Sequence, residues 1–267
     1  MEILQYSFMQ NALIAWTIIA LSSSIIWNYI VIRREVQIGH TIANASFLWI
    51  IVWLILQISN SISAIIFAVF AAIWIYFLEK SKKITSDSIM EYISQISMAG
   101  WIFLLSFLPG LKVDVFSFLF WNILSITKTD IYISIWLLLI ILLYFFIFNK
   151  ILLWNSLSYE ISKATQKNNE IANILFLILT SILIAISIKI FWILLIWAFL
   201  ILPANIWKLA WNSFLQMKII SAIIAIVSVI AWLIISYYLD SSAGSTIVLF
   251  LWISLIISAI YGKIIKK

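Results

Sequence analysis

The only histidine of the 267-residue chain, His40, stands four residues before Asn44 in the stretch GHTIANA (39–45). On a helix, residues at i and i+4 share a face one turn apart, so an imidazole and an amide would face the same point. A neutral imidazole suits zinc, manganese or iron, and an amide oxygen is a weaker, harder ligand. The competing reading is an interfacial histidine beside the basic pair Arg33 and Arg34, with its hydrogen bond satisfied locally. Other chemistry is scarce. One histidine, no cysteine and dispersed carboxylates supply no convincing nucleophile–base set, which argues against an intramembrane hydrolase. Absence of cysteine also excludes disulfides and thiolate metal sites. There is no G-x-x-x-x-G-K-[ST] phosphate loop, so any nucleotide hydrolysis falls to a separate subunit.

The elements that must position these residues are legible from composition. Hydrophobic residues make up 66% of the chain and charged residues 10%, against roughly a quarter charged in soluble proteins. Such a chain cannot hide its apolar surface in one water-soluble core, and it is expected to be an integral membrane protein. The start, MEILQYSFMQNALIA, lacks the basic region of a signal peptide, so the first apolar segment is expected to remain as a span. A span needs about 20 mostly apolar residues. Candidates are roughly 12–32, 36–58, 62–78, 89–108, 131–148, 171–188, 190–207, 219–239 and 246–262. If SIKIF (187–191) turns tightly there are nine spans; if it lies inside one longer or broken helix there are eight.

Charge sets the orientation. Arg33, Arg34, Lys80, Lys82, Lys83, Lys150, Lys163, Lys167, Lys208, Lys218, Lys263, Lys266 and Lys267 fall on one side, 13 of the 16 basic residues. Positive-inside reasoning makes that side cytoplasmic, with the N-terminus outside and the C-terminus inside. The net charge of +6 is thereby accounted for at helix ends and calls for no nucleic acid. Two segments do not read as spans. Residues 108–130 hold a Pro-Gly turn and an interrupted apolar stretch, expected as an external loop with a short re-entrant or interfacial helix. Residues 155–170, NSLSYEISKATQKNNE, are polar and helical in period, with Ile161, Ala164 and Thr165 on one face and Glu160 and Lys163 flanking them. This segment is either a solvated connecting helix or a docking helix for a cytoplasmic partner.

Five blocks, VIRREVQIGHTIANA, FLPGLKVDVFSFLFWNIL, NSLSYEISKATQKN, FWILLIWAFLILPAN and SYYLDSSAGSTIVL, occur in the order seen in permease subunits of ABC importers for zinc, manganese and iron. From FMQNALIAW (8–16) to the last span, nearly the whole chain resembles that family, the ABC-3 family. The resemblance implies a single transmembrane permease domain over 1–267, an all-α bundle of eight or nine transmembrane helices with a short cytoplasmic coupling helix. It implies that 156–168 docks onto an ATP-binding cassette subunit through Ser158, Tyr159, Glu160, Lys163 and Ala164. It further implies alternating access, an extracytoplasmic metal-binding protein, a permease homodimer, and a place in the cytoplasmic membrane of a bacterium. Family members commonly carry Gly-Asp-x-x-x-His where this chain has Gly39, His40 and Asn44. Both ligand types change while the spacing survives. Losing the carboxylate removes a charge that would offset a divalent cation in a low-dielectric site, and Glu91 and Asp240 are the replacements nearest in type. Two alternatives stand beside it: a stand-alone ion-coupled carrier, which would want mid-span acids that these spans almost lack, and a non-transport assembly protein.

Tryptophan is the second departure. The chain has 15 Trp and 5 Gly, whereas glycine averages about 7% of residues. At Trp16, Trp27, Trp49, Trp53, Trp74, Trp101, Trp121, Trp192 and Trp232 the family pattern resembles glycine; LFWNIL, for example, is similar to a family LFGNIL. Trp27, Trp53, Trp192 and Trp197 fall inside spans, although tryptophan favours the interfaces. Read as glycines, 49 and 53 would form a Gly-xxx-Gly packing motif. The pattern predicts that UGA is read as glycine in the source lineage, so that many of these positions carry glycine in the natural protein. The competing expectation is true tryptophan in a loosely packed relative.

Overall fold

In a bilayer no water is available to satisfy backbone groups, so an apolar chain of this kind must close its N–H and C=O groups within helices. The computed structural model describes residues 7–33, 35–56, 60–80, 85–107, 126–157, 169–190, 214–238, 249, 251–257 and 260. Seven helices emerge in it: α1 Ser7–Arg33, α2 Gln37–Leu56, α3 Asn60–Lys80, α4 Ser86–Ser106, α5 Lys128–Leu157, α6 Asn169–Ile190 and α7 Phe214–Tyr238. A further helical stretch occupies 251–257. Among the described residues there is no strand, and the fold is all-α, as expected of a polytopic membrane protein. Met9–Arg33, Lys128–Leu153 and Glu170–Ile188 are long and apolar enough to cross a membrane, while Ile65–Leu78 and Gln216–Ala231 are shorter apolar stretches.

Local signals set the helix ends. α5 opens on a reciprocal cap in which the Thr127 amide donates to Asp130 Oδ2 at 3.0 Å and the Asp130 amide reaches Thr127 Oγ1 at 3.4 Å, the capping-box arrangement. α1 closes on Arg33, a cation at the negative end of the helix dipole. α5 is longer than the apolar run at 131–148 suggests. It continues through Asn149 and Lys150 to Leu157, 30 residues in all, because those polar residues end the hydropathy signal without breaking a helix. At about 1.5 Å per residue it measures ~45 Å, well beyond the ~30 Å hydrocarbon layer. Residues 156 and 157 of the expected docking segment therefore close α5. Likewise α6 runs unbroken through Lys189 to Ile190, so no turn interrupts SIKI; 191–213 lie outside the described residues.

Two compact units divide the chain: Met1–Ile32, Asn122–Phe146 and Ile190–Lys267 form one, Arg33–Trp121 and Ile147–Lys189 the other. Within the first, α1 meets α7 through polar side chains. Asn28 Nδ2 donates to Ser221 Oγ at 2.9 Å and to the Ser24 carbonyl at 2.6 Å. Lys218 Nζ donates to Tyr29 OH at 2.6 Å, and the Tyr29 ring packs on Phe145 with centroids 4.6 Å apart. Two buried hydroxyls are satisfied by their own helix: Ser22 donates to the Ile18 carbonyl at 2.9 Å and Ser228 to that of Ile224 at 2.5 Å. Back-bonding of this kind lets a span hold serine without an orphaned donor. Along α5 the exposed stripe Trp136, Leu139, Leu143 and Phe146 repeats at helical spacing, the pattern of a lipid-facing side.

In the second unit α2 packs mainly against α4. Gly100 permits the approach, since a Cβ there would stand 3.0 Å from Leu48 Cδ1, the small-residue device of membrane helix pairs. Tryptophans of α1 and α2 fit less well. Trp27 is 1% exposed, and its indole N–H meets no hydrogen-bond acceptor among the described residues. Trp49 stacks on Phe67 of α3 at 5.0 Å, also with a buried indole N–H lacking an acceptor. Trp74 instead lies exposed. The side chain of Trp53 and all of Trp192 and Trp197 lie outside the described residues.

Candidate functional site

His40 is the fourth residue of α2 and is half-buried. Its Nε2 lies 3.0 Å from Asn44 Nδ2, so the helical spacing does bring the pair into contact. An amide N–H can only donate, so Nε2 is the accepting atom at this contact. Asn44 is 9% exposed, and the same Nδ2 donates across the helix contact to Ser94 Oγ of α4 at 2.5 Å. One turn earlier on α2, Thr41 Oγ1 bonds the Met90 carbonyl of α4 and the Gln37 carbonyl of its own helix, both at 3.0 Å. The ring, the amide and the hydroxyl thus form one chain running from a partly open edge into the α2–α4 contact. Because Asn44 and Ser94 face a neighbouring helix instead of lipid, the cost of placing polar groups in a span is met internally.

Ser94 is a site residue that the sequence motifs do not mark, although the periodicity of α4 points to it. Met90, Ile93, Ser94 and Ser97 are buried, while Glu91, Tyr92, Gln95 and Ile96 are exposed. That is one helical stripe against another, and it places Ser94 inward with Met90. The same stripe turns Glu91 outward, where its Oε1 accepts from Gln95 Nε2 at 2.7 Å on its own helix. Asp240 lies outside the described residues, as do Ser158, Tyr159, Glu160, Lys163 and Ala164 of the expected docking segment. Among the described residues no three His, Cys, Asp or Glu side chains come together as a metal cage. What the arrangement offers a cation is a single half-buried imidazole, with an amide whose N–H faces the ring and a hydroxyl beyond it.

Comparison with known proteins adds the context. A model of the ABC 3 transport family matches residues 5–262. The chain is 26% identical over 248 residues to the manganese transport system membrane protein MntC of Halalkalibacterium halodurans, covering 93% of this chain and 85% of that one. It is 30% identical over 244 residues to the manganese import system permease protein ScaB of Streptococcus gordonii, covering 91% and 87%. With the high-affinity zinc uptake system membrane protein ZnuB of Haemophilus influenzae it shares 26% identity over 241 residues, covering 89% and 91%. Among solved structures it resembles PsaBC from Streptococcus pneumoniae in complex with Fab, at a TM-score of 0.81 and 29% identity, over 96% of this chain and 92% of that one.

Proposed function

The chain belongs to the ABC 3 transport family, and we propose that it is the membrane-spanning permease of an ATP-driven importer of divalent metal ions, zinc, manganese or iron. The observation that carries this reading is the similarity, over about nine-tenths of this chain, to chains named as manganese and zinc permeases. In it, a separate ATP-binding cassette subunit hydrolyses nucleotide and docks on 156–168 through Ser158, Tyr159, Glu160, Lys163 and Ala164. An extracytoplasmic protein delivers the ion, and two copies of this chain line the path across the cytoplasmic membrane of a bacterium.

The chemistry at α2 suits passage more than storage. The Nε2 lone pair that faces Asn44 is the one an incoming cation would take. The amide must first turn over, withdrawing its N–H and presenting Oδ1 to the ion. Ser94 accepts from Nδ2 now, and its hydroxyl is equally able to donate to Oδ1, so it holds the amide in either orientation. Without a carboxylate the site attracts the ion weakly, and conduction requires binding loose enough for release.

Assembly tests the reading. The affinity-tagged chain, expressed with its cognate ATPase, is expected to retain that subunit through purification. Reversing the charges with Glu160→Lys and Lys163→Glu should reduce the ATPase recovered several-fold, with membrane insertion unchanged, because like charges at a contact act against association. A wild-type chain that never retains the ATPase refutes the permease reading. Full recovery with the double variant refutes the docking contact alone.

A further inference from the structure

Arg33 ends α1 with its side chain only 8% exposed, an expensive place for a guanidinium unless its partners hold it. Its Nη2 donates to Asn173 Oδ1 at 2.9 Å, and its Cζ stands 4.6 Å from the centroid of the Phe176 ring. Glu35, one-third exposed, approaches Nη1 only to 3.9 Å, so the grip on Arg33 comes chiefly from α6. Asn173 and Phe176 are three residues apart, on one face of the first two turns of that helix. Those turns have a second tether, since Tyr76 OH of α3 donates to Glu170 Oε2 at 3.2 Å. Arg33, Asn173, Phe176, Tyr76 and Glu170 all belong to the second compact unit.

We propose that Arg33 is a positioning residue for transport: it passes displacement at the start of α6 along the chain to the start of α2, whose first turns carry His40 and Asn44. The inference rests on the permease reading above, in which the ATPase docks on the chain just before α6. Its physical basis is the unequal cost of opening the contact. A buried guanidinium that loses its partner is left as an uncompensated charge, so Arg33 follows Asn173 and Phe176 when they move. Only three residues separate Arg33 from α2, too short a link to absorb the shift. An arginine needed merely to mark the cytoplasmic side would require charge alone. This one uses a planar fork and a ring stack, which lysine does not reproduce.

The test separates coupling from folding. Chain and cognate ATPase are reconstituted in vesicles with the binding protein, and manganese(II) and zinc(II) uptake is measured per ATP hydrolysed. Asn173→Leu and Arg33→Lys are expected to retain the ATPase and its hydrolysis while ions imported per ATP fall about tenfold, the order of one charge-assisted hydrogen bond. Asn173→Asp, which keeps an acceptor for Nη2, should restore the wild-type ratio. A purely structural role would lower the amount of folded complex and leave the ratio per complex intact. An unchanged ratio in both Asn173→Leu and Arg33→Lys overturns the inference while the permease reading stands. A wild-type chain that does not retain the ATPase overturns both.

Discussion

His40→Ala is expected to abolish metal-dependent uptake while leaving membrane insertion and ATPase assembly intact. His40 carries the chain's only imidazole, and its Nε2 already engages Asn44 across one helical turn. Altering even an outer partner of a metal ligand typically costs about 10–100-fold in affinity or activity; deleting the ligand itself should cost at least that. Asn44→His puts the family's residue back beside His40. It should keep transport and shift preference toward zinc, which two imidazoles favour over one imidazole and an amide. Ser94→Ala should produce a milder defect, since it removes the hydroxyl that holds Asn44 without touching the ring. The measurement is uptake of zinc, manganese and iron in cells lacking their own importers. Normal transport by His40→Ala would show that this position has no part in the ion's route, leaving the family membership standing and the site to be sought elsewhere.

Replacing Trp27 and Trp49 by glycine is expected to raise expression and thermal stability. The ordinary expectation for emptying a packed aromatic site is the opposite, a loss of about 3–5 kcal/mol. Here each indole N–H is buried without an acceptor among the described residues, a defect costing roughly 1–3 kcal/mol apiece. Both positions resemble glycine in the family pattern, and glycine at 49 would let α2 approach α3 where the indole now stacks on Phe67. The two explanations differ in the sign of the effect, so melting of the detergent-solubilised double variant decides between them. Intact mass of the protein made in its own host gives an independent check. UGA read as glycine predicts a mass below that of the 15-tryptophan chain by one indolylmethyl-for-hydrogen difference at each such position. A mass equal to the tryptophan-containing chain, or unfolding of both glycine variants, would establish the indoles as true packing elements.

Hydropathy alone located the helices because the bilayer leaves the backbone no other way to satisfy its polar groups. α1 through α4, α6 and α7 each coincide with an apolar run to within a few residues at either end. The contact between His40 and Asn44 was legible for a comparable reason, as helical periodicity by itself puts i and i+4 one above the other. Length beyond the apolar run was not legible: α5 passes through Asn149 and Lys150 to Leu157 because hydropathy reports the lipid boundary and not the end of hydrogen bonding. Nor could the sequence say which helix each face meets. A span is apolar toward lipid and toward protein alike, so the pattern that marks a core face in a soluble helix is muted here. Only the tertiary structure therefore decided that Ser94 receives Asn44, that Ser221 receives Asn28, and that Arg33 turns onto Asn173 and Phe176 instead of into water. Those pairings lie 50, 193 and 140 residues apart in the chain, and they are fixed by how polar groups find one another where lipid offers them nothing.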